Sequence, residues 1–513
     1  MSPLYQFVTE YLADLSPVYY LRQYIVILVL FVFGALLTDV FVRDKKISWV
    51  KRSVLAYPLG ISAFAVTAYA VLVLRIPYNT LSVSLILAAE CAAAIFIIVK
   101  RGAGNGILSY RKHMLTAAMA AAALAALATS GLFPVSISND TMYYFKRYPD
   151  AIVYYRGLRD QFDFFLTDTG LGVVSIDTLP ALFGFGETFG IREFFHMNFL
   201  LFFAAGAFER AKVRLSERSA YVFAVILTGV LAVSTPFVIL GHWALANMYF
   251  MEMFFIAAYT ALDHGGDAFA AAAVMITALG LFRIEGTVFV IWLVLCVSSY
   301  SNIGRKAAGY VILPMGILFS VYCLNVFIRF NVLDNMYLFL SPVKAVLIIC
   351  MMAAAGIYLA FVRERLPEKI RLRLPLIYIA ALAAGNAALF VYDSAHYTGN
   401  LAAFRDNLFR QSGWGMFPYF VIAAGVFLIA EYSVMYFGNG KRGQAPSGFG
   451  ITMVAGFLLI VLAASFGRGD LLAEDVGDSG NRVLLQVTPL IVMTFGELFL
   501  GLMEKDDEKC QTQ

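Results

Sequence analysis

Runs of about 18 or more mostly apolar residues recur from one end of the chain to the other, separated by short clusters of charge. Backbone facing lipid finds no water to satisfy its N–H and C=O groups, so irregular segments and open sheet edges are excluded there and the runs must be helical. Composition closes off the alternative of a large soluble domain. Of 513 residues 61% are hydrophobic and only 14% are charged, where soluble domains carry about 25% charged residues. The 45 Phe and 28 Tyr suit lipid-facing and interfacial surface. A net charge of +4 is too small to suggest a nucleic-acid partner. Cys91, Cys296, Cys323 and Cys350 lie in or beside apolar runs, Cys510 lies in the polar tail, and no CxxC occurs, so the cysteines read as packing residues and not as metal ligands.

The expected fold class is all-α: a polytopic integral membrane protein of about 13–15 transmembrane helices. The spans fall near 24–42, 53–74, 80–99, 114–133, 193–208, 219–240, 245–262, 268–282, 286–299, 307–330, 343–362, 374–392, 414–437, 450–466 and 482–503. Those between 245 and 299 are short enough to be half-helices that dip in and return. Residues 3–21 read as an interfacial segment ahead of the first span, and nothing there resembles a cleavable signal.

Lys and Arg gather on alternate loops: 43–52, 100–113, 209–218, 301–306, 363–373 and 438–443. The positive-inside rule makes that side cytoplasmic. The turn Asp263–Asp267 then falls on the cationic side although it is acidic, which strains the scheme. The opposite side holds the longest connection, 134–192. Within it, Ile152, Tyr155, Leu158, Phe162 and Phe165 recur at helical spacing, as expected of an amphipathic helix lying in the interface.

Charges inside spans are costly and mark cavities or pathways. In LGLFRIEGTVF (279–289), Arg283 and Glu285 interrupt an apolar run, with Gly280 and Gly286 on either side. A helix broken at membrane depth is tolerated where it lines a cavity. The plainer reading is an ordinary turn with an ion pair at the membrane edge. GHWALAN (241–247) lies on the same side and offers His242, a side chain able to titrate near neutral pH, or simply a hydrated one. Arg482 opens the last span, with Gln486 one turn further in. Asp140, in SISNDTMYYFKRYPD (136–150), stands just past a span together with Arg147. The same Asp140 would serve as a helix N-cap, and Asn139-Asp140-Thr141 also matches a glycosylation sequon.

In their order and common sidedness these residues resemble the GT-C superfamily of polytopic glycosyltransferases. The marks are SND140TMYYF opening the outer loop, RIEG (283–286) where several such families have R-P-E-G, and SGNRVLLQVTPL (479–490), similar to a G-R-Y-x-L-P-x-x-P opening of a late span. Ile284, Asn481 and Val483 depart from those patterns. The resemblance covers 113–513, a transmembrane core whose long first outer loop, 134–192, carries interfacial helices; 1–112 would be an N-terminal interfacial segment with three extra transmembrane helices.

What the resemblance implies is a glycosyltransferase of cell-envelope assembly in a bacterial cytoplasmic membrane, its active site facing outward. The donor would be a polyprenyl-phosphate-linked sugar drawn from the bilayer, and the acceptor a hydroxyl of a glycan, lipid or protein. Transfer would invert the anomeric centre, with Asp140 as general base. Arg147, His242, Arg283, Glu285 and Arg482 would bind substrate, and the arginines would stabilise the departing phosphate. Some members of the superfamily use a divalent metal and others none; no DxD flanks Asp140, so the cofactor stays open and a metal is not predicted. The competing readings are a transporter or flippase, and a polysaccharide polymerase or ligase with a diphosphate-linked donor.

Overall fold

The computed structural model describes residues 17–42, 47, 49–101, 147–159, 170–185, 189–237, 246–332, 340–371, 373–409, 414–439, 448–466 and 483–510. Among these residues there is no strand, and eight helices are long and apolar enough to cross a membrane. The protein is thus an all-α polytopic integral membrane protein. The expected span at 114–133 lies outside the described residues, as do the ends of several loops.

In chain order the helices are α1 (Pro17–Phe41), α2 (Trp49–Val73), α3 (Thr80–Lys100), α4 (Tyr148–Tyr154), α5 (Gly172–Leu182), α6 (Phe189–Lys212), α7 (Glu217–Ala232) and α8 (Ala246–Phe282). They continue as α9 (Gly286–Tyr300), α10 (Gly304–Arg329), α11 (Pro342–Arg365), α12 (Leu374–Tyr392), α13 (Ser394–Phe409), α14 (Phe417–Asn439), α15 (Phe449–Phe466) and α16 (Thr488–Cys510). Several boundaries follow local chemistry. The Asn79 side chain caps α3 by accepting from the Ser82 N–H, and Ser341 caps α11 by accepting from the Lys344 N–H. The stretch 393–413, read from sequence as a loop, contains α13, whose start is capped by Asp393 accepting from the His396 N–H at 3.0 Å. Helix α7 stops at Ala232, and helical backbone resumes at Thr235 with Pro236 in the first turn, where its missing N–H costs nothing. The interfacial helix expected beyond Ile152 ends at Tyr154, because Arg156 (φ 56°) and Gly157 (φ 152°) leave helical backbone. Phe162 and Phe165 lie outside the described residues.

Helix α8 spans 37 residues, and a straight helix of that length would be about 55 Å long. Yet Asn247 and Arg283 from its two ends are hydrogen-bonded at 3.0 Å, and Tyr249 and Phe282 rings stand 6.5 Å apart. The chain must therefore reverse near its midpoint, within the expected 263–267 turn. Both arms of this hairpin and the following α9 are enclosed by protein along nearly their whole length. Helix α2, 78% buried over its span, packs against the hairpin, α5 and α6, whereas α3 and α12, each 17% buried, face outward. Polar residues are thus tolerated in the central helices because lipid does not touch them.

Helices α1 and α2 cross where Gly34 meets Gly60. A Cβ on Gly34 would stand 1.8 Å from the Ala56 carbonyl oxygen, and one on Gly60 2.0 Å from that of Leu30, so only glycine permits the crossing. At the cationic end, Asp263 at the α8 reversal is held by Arg210 (2.6 Å) and by Lys51 (3.2 Å). Lys51 also reaches Glu209 at 2.6 Å, and Arg210 reaches Glu497 at 2.6 Å. The acidic turn is therefore compatible with the cationic loops: α2 and α6 supply its counter-charges.

Candidate functional site

At the opposite end of the bundle the α8 hairpin returns to its own start, and four segments meet there. The turn between α8 and α9 carries Arg283 and Glu285. The Arg283 Nε donates to Glu285 Oε1, and its Nη1 donates to Asn247 Oδ1 at 3.0 Å. Although residues two apart on a continuous helix diverge, Arg283 and Glu285 lie in a non-helical break, which lets them pair. The same Asn247 oxygen accepts from Gln486 Nε2 at 3.4 Å, just before α16. Asn247 and Gln486 are 3% and 1% exposed. Among the described residues, two acceptors in this group lie buried without a hydrogen-bond partner: Glu285 Oε2 and Gln486 Oε1. An unmet buried polar group costs about 1–3 kcal/mol.

The backbone geometry that holds the turn comes from α5. Gly170 has φ 88°, and a Cβ on Gly172 would fall 2.2 Å from the Leu281 carbonyl oxygen, so α5 begins pressed against the chain just ahead of Arg283. Five residues further, buried Asp177 accepts from Arg192 Nη2 of α6 at 3.0 Å. The Arg192 guanidinium lies 5.4 Å from the Tyr249 ring centroid, a cation–π geometry. One turn along α6, His196 Nδ1 hydrogen-bonds Glu252 Oε1, and Phe237 stacks on the imidazole at 4.5 Å. The first arm of α8 therefore presents Asn247, Tyr249 and Glu252 to different neighbours. Asn247 and Glu252 leave it about 140° apart, so the Asn247 group and the His196–Glu252 pair lie on separate sides of this arm.

Of the residues expected from sequence, Arg283 and Glu285 are brought together, with Gln486 beside them. Asp140, His242 and Arg482 lie outside the described residues. Arg147 stands exposed ahead of α4 and does not join the hydrogen-bonded group around Asn247. Sequence reasoning missed Asn247, Asp177, Arg192, His196 and Glu252. The signal for two of them was present: His196 and Glu252 are ionisable residues inside two different predicted spans, and such residues tend to find each other. Among the described residues, no three His, Cys, Asp or Glu side chains gather as a metal site would require.

Comparison with known protein families, with curated proteins and with solved structures finds no match to this chain. The functional reading accordingly rests on its own residues.

Proposed function

We propose that this protein is a membrane glycosyltransferase that moves a sugar from a polyprenyl-phosphate carrier to an acceptor hydroxyl. One observation carries the reading. RIEG (283–286) and the opening of the last span, the two described stretches whose pattern resembles GT-C enzymes, are about 200 residues apart in sequence yet bond to a single oxygen, Asn247 Oδ1.

In this reading the acceptor oxygen attacks the anomeric carbon while its proton passes to Asp140. The bond from that carbon to the phosphate oxygen breaks, and the electron pair leaves with the polyprenyl phosphate. Glu285 neutralises Arg283, so the arginines available to the leaving group are Arg147 and Arg482, both on the side opposite the cationic loops. His242, five residues ahead of Asn247 in sequence, would lie beside the substrate. The enzyme would sit in a bacterial cytoplasmic membrane with this end outward, acting on a glycan, lipid or protein of the envelope.

The test uses full-length protein in bilayers with labelled polyprenyl-phosphate sugars and hydroxyl acceptors. Release of polyprenyl phosphate with transfer of label is expected. Asp140→Asn should cut turnover by about 10²–10⁴-fold at unchanged expression. Undiminished turnover in that variant, or no turnover with any donor, would overturn the proposal.

A further inference from the structure

The group around Asn247 is mismatched in a particular way. The Arg283 charge is met by Glu285, and Arg283 Nη1 and Gln486 Nε2 both donate to Asn247. What remains unmet is two oxygens, Glu285 Oε2 and Gln486 Oε1, both buried. One chain of hydrogen bonds joins them: Glu285 to Arg283, Arg283 to Asn247, and Asn247 to Gln486. A ligand completing this group must bring hydrogen-bond donors. The Arg283–Glu285 pair is neutral as a unit, so the group offers acceptors without a net charge, which suits a neutral donor such as a hydroxyl.

We infer that this group is a polyol subsite: Glu285 Oε2 and Gln486 Oε1 accept hydrogen bonds from the hydroxyls of a sugar ring, and the phosphate of a lipid-linked donor is held elsewhere. Assigning that ring to the transferred sugar rests on the transferase reading; binding of a polyol does not. Both acceptors are shut off from solvent in the structure, so the ring enters by parting the 283–286 turn from the start of α16.

The experiment measures binding of two probes with the same alkyl tail, an alkyl glycoside and an alkyl phosphate, to the full-length protein in lipid nanodiscs. Gln486→Leu removes one acceptor, and Glu285→Gln keeps an oxygen for Arg283 while turning the free oxygen into an amide NH2, a donor. Each variant should weaken the glycoside about tenfold or more, the scale of a lost buried hydrogen bond, and leave the phosphate probe unchanged. Gln486→Leu also gives up the 3.4 Å donation to Asn247, so the melting temperature of the empty protein should fall only slightly, because Asn247 keeps Arg283 as its donor. Unchanged glycoside affinity, or weakening of the phosphate probe instead, overturns the assignment. If the glycoside result holds while no donor is turned over, the polyol subsite stands and the transferase reading falls. If donor is turned over while both variants bind the glycoside as the native protein does, the transferase reading stands and the subsite falls.

Discussion

Replacing Arg210 by Met tests whether the charges at the cationic end hold the bundle together. Arg210 Nη2 donates to Asp263 at 2.6 Å and Nε to Glu497 at 2.6 Å, and its guanidinium lies 4.3 Å from the Tyr259 ring centroid. Side-chain exposures of 17% for Arg210, 19% for Asp263 and 14% for Glu497 mean that water screens these pairs only in part. Removing one partner of a buried pair costs about 3–5 kcal/mol, mainly through the charge left behind. Asp263 would keep Lys51 at 3.2 Å, while Glu497 would lose its 2.6 Å contact with Arg210. The lower end of the range, about 3 kcal/mol, is therefore expected. The decisive comparison is a double-mutant cycle with Glu497→Gln, followed by unfolding of the full-length protein in lipid. In the native background Glu497→Gln breaks a pair and should destabilise. In the Arg210→Met background it removes a charge that has lost its arginine and should restore part of the loss. If Glu497→Gln lowers stability equally in both backgrounds, burial of uncompensated charge is not what Arg210 prevents.

Three further perturbations probe other joints. Gly34→Ala drives a methyl into the Ala56 carbonyl, 1.8 Å away before relaxation, and should cost about 2–3 kcal/mol, the upper part of the usual overpacking range, read as a lowered melting temperature; a tolerated alanine would mean that α1 and α2 do not cross there. Arg363 is 2% exposed and donates to the carbonyls of Ser298 and, at 2.9 Å, Ser301, closing the end of α9. Arg363→Met should lose about 2–3 kcal/mol of unfolding free energy, whereas an effect below about 0.5 kcal/mol, the scale of ordinary surface substitutions, would remove this closing role. Asn247→Leu strips the shared acceptor from Arg283 and Gln486 and should destabilise by about 1–3 kcal/mol. Asn247→Asp keeps that oxygen and should be milder on the same thermal scan; the opposite order would count against the bridge.

The spans outside the centre were legible because lipid imposes length and apolarity on them, as in α3, α10 and α12. The α8 reversal was legible too, since Asp263 to Asp267 interrupts two short apolar runs. Its anomaly in the charge scheme disappears only when Lys51 of α2 and Arg210 of α6 are seen beside Asp263. At the other end Arg283 and Glu285 stood out as charges in an apolar run. Asn247 did not, because a lone amide near a loop has no signature and its partners are fixed by tertiary packing. Glu252 was legible in principle, an acid within an apolar run. The surrounding Met248, Met251 and Met253 draw the eye to packing instead, and its partner His196 lies 56 positions earlier.

The enclosure of α8 and α9 also bears on how the protein is made. The first arm, with Asn247, Glu252 and Asp263, is absent from the eight helices apolar enough to cross a membrane, and the second arm and α9 are shorter than those eight. Segments of this kind partition poorly into bare lipid one at a time. They need a greasy receptacle already in place, and α2 and α6, synthesised earlier, are the walls they pack against. The order of helices along the chain is thus also an order of assembly: the shell must precede its contents, and a polypeptide released after α9 would carry its own interior with only half a casing around it.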